Sequence, residues 1–282
     1  MPPDRPKPQQ AREPQQVAET KAFYDGRLRD ALERLSGEHL HLGLFAHPGE
    51  PRERALARAT ATMAEGLGLG PGSRVLEVAC GVGAAARHLA GRYGCRVLAT
   101  NISRRQLALG RELTAAAGLS HLVDFAEADF HALGHPDASF QCWWCQEALL
   151  HSPDKARVLA EARRVLAPGG LMVLSDLTVP AATSDQDRAR IYERVQSPGM
   201  WDRADYDRAL AGLDLEVLRA DDWSAHVAAS YETQRRLFAA HRAELERELP
   251  AEALDRVLDE LADWVAYARA GKIGWVTYLA RR

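Results

Sequence analysis

The pattern of apolar and polar positions changes at about Ser73. Beyond that residue, short apolar runs alternate with segments of helical periodicity, joined by brief polar connections. Seven of the runs have the length and composition of strands: RVLEVAC, CRVLAT, LVDFAEA, FQCWWCQ, LMVLSDLTV, LEVLRADD and KIGWVTYLA. Strands that alternate with helices are typical of a mostly parallel sheet covered on both faces. The pattern therefore predicts a doubly wound α/β fold built on a seven-stranded sheet.

The segment before this sheet predicts a different organisation. Residues 1–14 are rich in proline and almost free of apolar side chains, which is typical of a disordered leader. Apolar positions recur at roughly helical spacing over residues 15–35, with an interruption at Gly26, and a further amphipathic helix is predicted over residues 52–67. We interpret residues 15–70 as lid helices that precede the sheet.

Helical segments also dominate the last third of the chain. A core at residues 71–180 is followed by residues 181–270, where helices surround one further strand, and by a final strand within residues 271–282. An apolar stripe recurs every three or four positions over residues 254–268, and we expect it to pack against the core domain. We interpret residues 181–270 as a helical cap inserted before the last strand.

Composition and charge exclude several classes of function. The 282 residues include 36 Lys and Arg against 39 Asp and Glu, and the resulting net charge of −3 argues against nucleic-acid binding. The chain has no apolar run near the roughly 20 residues of a membrane span, and its N-terminus lacks a signal peptide, so we expect no membrane association and a cytoplasmic protein. The oligomeric state does not follow from the sequence.

The cysteines and histidines do not predict a metal site. Cys142 and Cys145 lie three positions apart in a predicted strand, so their side chains should point to opposite faces of the sheet. His39 and His41 lack a third ligand at a recognisable spacing. We therefore expect no bound metal.

The sharpest local signal is a glycine-containing run from Glu77 to Gly83, which ends the first strand and opens a helix. Glycines allow the backbone to approach a ligand closely, and the N-terminus of the following helix offers unpaired amide groups. A tight turn without a ligand is the alternative interpretation of this run, so it does not identify a site by itself.

Polar side chains end the next two strands. Asn101, the only asparagine in the chain, lies where a nucleotide-binding fold places the side chain that binds the ribose hydroxyls. Asp129 and Phe130 are candidates for contact with the adenine amine and ring, although Asp129 is equally suited to capping a turn. Ser103 and Gln106 fit a helix capping box as well as ligand contact. Together these positions predict an adenosine site at the carboxyl ends of the strands.

The motifs resemble those of the class I S-adenosylmethionine-dependent methyltransferases over essentially residues 15–282. The run VLEVACGVGAAARHLA is similar to the first motif of that family, although Ala79 and Ala84 stand where glycines are usual and Asn101 replaces the usual acid. The resemblance implies a Rossmann-like methyltransferase fold, S-adenosylmethionine as cofactor, and contact of Glu77 with the methionine amino group. His41 is expected to orient the lid loop. The expected cofactor-binding residues are Tyr24, His41, Glu77, Ala79, Gly81, Asn101, Ile102, Gln106, Asp129, Phe130 and Gln146.

A longer segment narrows the resemblance. The run WCQEALLHSPDKARVLAEARRVLAPGG is similar to the fourth-strand region of the sarcosine and dimethylglycine N-methyltransferases, and the runs FYD, GEHLHLGLF, SPGMW and GKIGWVTYLA resemble the same group. Leu35, Ser36 and His39 depart from the Trp-Gly and Asp that are usual there, and all three lie in the predicted lid. The resemblance implies methyl transfer to a small molecule, foremost an amine such as sarcosine or dimethylglycine.

Bacterial sugar and natural-product O-methyltransferases share much of this pattern and add a His–Asp pair, which His151 and Asp176 match. A hydroxyl acceptor has to lose its proton as it attacks, so a histidine oriented by a carboxylate would serve as the base. Initiation of a helix before Pro153 is the structural alternative for His151. The FYD run places Tyr24 in the lid over the reacting centre, where it would help to exclude water. Nitrogen, oxygen and sulfur acceptors all stay open.

Two other functional classes share part of these signals. A nicotinamide-dependent oxidoreductase would need G-x-G-x-x-G, but Ala86 stands at the third glycine position and no Tyr-x-x-x-Lys run follows. A protein that binds the cofactor without catalysis would have the same motifs as an enzyme.

Overall fold

The structure, a computed structural model, describes residues 13–24, 31, 34–38 and 41–282. Its strands are β1 (Arg74–Val78), β2 (Arg96–Asn101), β3 (Val123–Glu127), β4 (Phe140–Gln146), β5 (Leu166–Thr178), β6 (Glu216–Asp222) and β7 (Gly274–Arg281). They form one sheet in the order β3-β2-β1-β4-β5-β7-β6. The first five strands pair in parallel, whereas β7 runs antiparallel to both β5 and β6. The predicted mostly parallel, seven-stranded, doubly wound sheet is therefore confirmed.

The helices of the described residues surround this sheet. They are α1 (Glu13–Tyr24), α2 (Arg52–Met63), α3 (Ala84–Tyr93), α4 (Arg104–Ala116), α5 (Lys155–Val165), α6 (Asp185–Arg194), α7 (Arg203–Gly212), α8 (Val227–Ala240), α9 (Arg242–Leu245) and α10 (Ala251–Arg269). Short 3₁₀ turns lie at Leu149–His151 and Ser224–His226. None of these helices has the length and apolar composition needed to cross a membrane.

Two hydrophobic clusters cover the two faces of the sheet. One contains buried side chains of α2, α3, α8 and α10, and the other contains buried side chains of α5 and α7. Cys142 belongs to the first cluster and Cys145 to the second, as their odd spacing on a strand predicts. The apolar stripe of α10 is buried in the first cluster, in agreement with the predicted packing against the core.

Side chains at the helix starts explain where several helices begin. The Ser103 hydroxyl accepts a hydrogen bond from the Gln106 backbone N–H at 3.2 Å, and Asp154 caps α5 in the same way through the Arg157 N–H. One half of the predicted capping box is thus present, namely the bond from the Gln106 backbone N–H to the Ser103 side chain. The Gln106 side chain instead contacts Asn101, which brings it to the functional site.

Some predicted boundaries need correction. The run LMVLSDLTV predicts the fifth strand, but β5 already begins at Leu166 and includes the preceding APGG, where pairing with β4 passes from Phe140–Leu166 directly to Cys142–Leu171. The intervening residues of β5 therefore form a bulge rather than a separate loop. The predicted disordered leader and His39 lie outside the described residues, except that α1 already begins at Glu13.

Candidate active site

A cavity lies at the carboxyl ends of β1, β2 and β4, where parallel strands place their following loops side by side. Most of the predicted site residues line it. They are His41, Glu77, Ala79, Gly81, Asn101, Ile102, Gln106, Phe130, Gln146 and His151. The structure therefore brings these residues together in one crevice. The side chain of Tyr24 lies outside the described residues.

The loop after β1 has the conformation that a close backbone approach requires. Gly83 precedes α3 with φ of 77°, and a Cβ there would lie 2.6 Å from the Phe125 ring. A larger residue would therefore be excluded by both backbone conformation and packing. Ala79 adopts φ of 51° without the freedom of glycine, so the departure from the family pattern at this position carries backbone strain.

Glu77 lies near the end of β1, directly before this loop, and is 3% exposed. Burial raises the pKa of this carboxyl to about 8, although the nearby Arg87 partly opposes the change. Its Oε2 atom has no hydrogen-bond partner among the described residues. A buried acceptor at a cavity wall fits the amino group of a bound amino-acid ligand, because the new hydrogen bond would satisfy it.

Asn101 is held at the cavity wall by three hydrogen bonds. Its Nδ2 donates to the Gly81 carbonyl at 3.3 Å and to Gln106 Oε1 at 2.8 Å, while its Oδ1 accepts from the Ser103 N–H at 3.2 Å. The amide therefore links the loops that follow β1 and β2. Ligand hydroxyls at this position would share or replace these contacts.

Asp129 is placed differently from its prediction. It is absent from the residues that line the cavity, although its neighbours Ala128 and Phe130 do line it. The Asp129 carboxylate accepts the His131 backbone N–H at 2.9 Å and contacts His131 Nδ1 at 2.7 Å. Burial by itself would raise the pKa of Asp129, but these hydrogen bonds from His131 lower it below its usual value. The turn-capping role is the one that the structure shows.

Asp176 also lies away from the cavity lining. Its side chain is fully buried in β5 and accepts a hydrogen bond from the Tyr206 hydroxyl of α7. Burial raises the pKa of the Asp176 carboxyl to about 6, against the opposing effect of that hydrogen bond and of the Lys155 charge. The expectation that this carboxylate lies at the reacting centre with His151 is corrected accordingly. His151 itself lines the cavity and is 9% exposed.

A glutamate that the sequence analysis did not single out is the most conspicuous acid of the cavity. Glu147 follows β4 with φ of 43°, a left-handed conformation that is uncommon outside glycine. Its carboxylate accepts hydrogen bonds from the Leu42 N–H at 2.8 Å, the Ser175 hydroxyl at 2.6 Å and the Trp275 indole N–H at 2.9 Å. Burial raises the pKa of Glu147 to about 7 although these hydrogen bonds oppose the change. The strained backbone and the elevated pKa are both typical of functional positions.

His41 and Gln146 form a chain of contacts beside Glu147. His41 Nδ1 donates to the Leu42 carbonyl at 2.8 Å, so in the neutral ring Nε2 accepts from the Thr60 hydroxyl at 3.2 Å. Gln146 Nε2 reaches the same hydroxyl at 3.5 Å. These contacts connect the loop that carries Leu42 to α2 and to the end of β4, and the role of His41 in orienting the lid loop stays a prediction.

The cavity wall is rich in acidic side chains. Glu38, Glu77 and Glu147 line it, and the described lining residues include no lysine or arginine. Glu38 is paired with the Arg87 guanidinium at 2.5 Å, and the raised pKa values of Glu77 and Glu147 leave these two carboxyl groups wholly or partly protonated near neutral pH. A cationic ligand could therefore be stabilised by ionisation of Glu77 or Glu147. The described residues also include no group of three or more His, Cys, Asp or Glu that could hold a metal ion.

Comparison with known proteins identifies the family. The family model named Methyltransferase domain matches residues 76–174, which span β1 to the greater part of β5. A sarcosine/dimethylglycine N-methyltransferase from Halorhodospira halochloris is 32% identical over 247 residues, covering 87% of this chain and 88% of the relative. The 27-O-demethylrifamycin SV methyltransferase of Amycolatopsis mediterranei is 31% identical, covering 90% of this chain and 93% of that protein.

A solved structure agrees with these relatives. The crystal structure of a Galdieria sulphuraria protein, assigned provisionally by its name to the sarcosine dimethylglycine methyltransferases, has a TM-score of 0.84 and 25% identity, with coverage of 91% of this chain and 98% of that chain. The fold, the motif and the similarity over most of the chain all indicate a methyltransferase. They exclude the alternative of a nicotinamide-dependent oxidoreductase. The chain belongs to the S-adenosylmethionine-dependent methyltransferases.

Proposed function

We propose that this enzyme transfers a methyl group to the nitrogen of a small amine, and that Glu147 is the residue that receives the amine. The observation that carries the proposal is that Glu147 lines a cavity whose described wall contains acids and histidines but no lysine or arginine. The N-methyltransferase relative that covers most of the chain supports the same acceptor class.

The cofactor supplies a methyl group that its sulfonium already activates, so the protein has mainly to bind, align and exclude water. Glu77 would hold the amino-acid end of the cofactor, and Asn101 with Gln106 would hold the ribose. These residues surround one end of the cavity, while Glu147 and His151 line it after β4. This arrangement predicts that substitutions of Glu77, Asn101 or Gln106 change cofactor binding. Substitutions of Glu147 or His151 should instead change binding and turnover of the acceptor.

Glu147 has the properties that an ammonium acceptor requires. An amine attacks through its lone pair, so its ammonium form has to lose a proton first. A carboxylate with a pKa of about 7 is suited to bind the cation and to accept that proton near neutral pH. The three hydrogen bonds from Leu42, Ser175 and Trp275 would keep its oxygens directed while this occurs.

A hydroxyl acceptor is the second candidate, because His151 also lines the cavity and a relative of nearly full coverage is an O-methyltransferase by name. For such an acceptor, His151 would take the hydroxyl proton. A thioether acceptor would need no base.

Two measurements test the proposal. Calorimetry with S-adenosylhomocysteine and, separately, with NAD should show binding of the first alone. Formation of S-adenosylhomocysteine is then followed with sarcosine, dimethylglycine, dimethylethanolamine, hydroxylated natural products and methionine-like thioethers, and the products are identified by mass. Dimethylethanolamine lacks the carboxylate of dimethylglycine, so the pair reports whether the site recognises that group. Methylation of a hydroxyl or thioether without methylation of any amine would overturn the proposal.

A further inference from the structure

A buried chain of hydrogen bonds joins the loop after β3 to the loop after β4. Asp129 contacts His131 Nδ1 at 2.7 Å, and His131 Nε2 lies 2.8 Å from the Ser152 hydroxyl. The His131 side chain is 2% exposed and Ser152 is 1% exposed. The ionised Asp129 can only accept, so Nδ1 carries a proton, and in the neutral ring Nε2 accepts from the Ser152 hydroxyl.

The order Asp–His–Ser is that of a hydrolytic triad, but the surroundings of Ser152 exclude this role. A nucleophilic serine needs access to a substrate, whereas Ser152 is buried and does not line the cavity. Its hydroxyl oxygen also accepts the Asp154 N–H at 3.0 Å. The chain is therefore a structural connection between two loops.

Ser152 is fixed from a second direction. Its backbone carbonyl accepts a hydrogen bond from Lys155 Nζ at 2.9 Å, and the same ammonium donates to the Gly199 carbonyl at 2.6 Å. Lys155 is 4% exposed, so these bonds replace the water it loses. The residue directly before Ser152 is His151, which lines the cavity.

We propose that His131 is a positioning residue of the active site, which acts through Ser152 to hold His151 at the acceptor end of the cavity. The two loops that His131 joins both contribute to the cavity wall, Ala128 and Phe130 from one and Ala148 and His151 from the other. The connection thus sets the distance between the cofactor end and the acceptor end. This inference rests on the proposed function, which places the acceptor at the part of the cavity that Glu147 and His151 line.

The first test uses protein labelled with ¹⁵N-histidine and saturated with S-adenosylhomocysteine. The ring signals of His151 are assigned with His151→Gln. His131→Leu and Ser152→Ala should each shift the His151 signals, whereas His131→Gln and Ser152→Thr should restore them, because both keep a polar group for the connection. Thr277→Val is the control, since it removes a buried hydroxyl bonded to the Leu174 carbonyl within the sheet.

Unchanged His151 signals in both His131→Leu and Ser152→Ala would overturn the proposal, as would an equal shift in Thr277→Val. Absence of S-adenosylhomocysteine binding in the wild-type protein would instead contradict the proposed function.

Kinetics with a hydroxyl acceptor, for which His151 would be the base, give a second test. Ser152→Ala should lower kcat about 10- to 100-fold with little change in the KM for the cofactor. The same substitution in a His151→Gln background should cause no further loss. A full additional loss in that background would overturn the proposal, because the effect of Ser152 would then not pass through His151.

Discussion

The Glu147 carboxylate accepts a hydrogen bond from the Trp275 indole N–H across 128 positions of sequence, at 2.9 Å. Glu147 follows β4 and Trp275 lies near the start of β7, which runs antiparallel to β5. The reversed direction of β7 brings its first residues to the edge where the parallel strands end. The last strand therefore contributes directly to the geometry of the cavity.

Glu147→Gln should reduce kcat/KM for an amine acceptor by about tenfold or more and leave the affinity for S-adenosylhomocysteine nearly unchanged. The pKa of Glu147 is raised to about 7, so the group is protonated below that pH and becomes a carboxylate above it. Wild-type kcat/KM should therefore rise with pH through about 7, and the rise should be absent in the variant. Glu216→Gln is a control, because Glu216 is exposed on the edge strand β6. Identical pH profiles of kcat/KM for the wild type and Glu147→Gln would contradict the role of Glu147.

His151→Ala should discriminate between acceptor classes. A hydroxyl acceptor needs a base, so turnover of a hydroxyl should fall by about 100-fold or more. A thioether needs no base, and an amine would pass its proton to Glu147, so the turnover of either should change far less. Calorimetric affinity for S-adenosylhomocysteine should be nearly intact in either case, and its loss would show that His151 belongs to the cofactor end instead.

Asn101→Ala should weaken cofactor binding by about 1–3 kcal/mol, since a buried hydrogen-bonding group is left unmatched. Part of the lost affinity should come from a less ordered loop after β1, because the Gly81 carbonyl and Gln106 Oε1 each lose the hydrogen bond that Asn101 donates. Titration calorimetry with S-adenosylhomocysteine measures the affinity, and thermal unfolding of the ligand-free variant measures the loop contribution. Equal affinities of variant and wild type would remove Asn101 from the cofactor site.

Ala79→Gly should stabilise the protein by roughly 0.5–1 kcal/mol. The left-handed conformation at φ of 51° costs alanine about 1–2 kcal/mol, and the greater freedom of glycine in the unfolded chain cancels only part of that gain. Urea unfolding of the two proteins measures the difference. Ala85→Gly, within the regular helix α3, should instead destabilise by about 1 kcal/mol. Destabilisation by Ala79→Gly would show that the methyl group contributes packing that exceeds the strain.

Much of the site was predictable because it follows from local order. Glu77, Asn101 and Phe130 each come just after or at the end of a strand, and parallel strands place such residues at one edge. Asp129 was assigned to the cavity on the same rule and instead contacts His131. The order of residues does not distinguish a side chain that faces the crevice from an adjacent one that hydrogen-bonds within its own turn, as Asp129 does with His131.

Glu147 and Asp176 show the opposite limits of sequence reasoning. Glu147 lies within the fourth-strand motif, yet its importance depends on the Leu42, Ser175 and Trp275 contacts that distant segments provide. Asp176 fitted a pattern with His151, but the side-chain alternation of β5 directs it into the cluster with Tyr206.

The order of apolar runs and helices determined by itself that this chain forms a doubly wound sheet with a cofactor crevice, because burial of both sheet faces and the rule of strand ends operate on local pattern. The tertiary structure alone decided which acids reach the cavity and how their pKa values change. Burial and hydrogen bonding at a given atom depend on segments far away in sequence. Where β4, β5, β7 and the loop of Leu42 meet, burial raises the pKa of Glu147 and the hydrogen bonds from Leu42, Ser175 and Trp275 partly oppose the change.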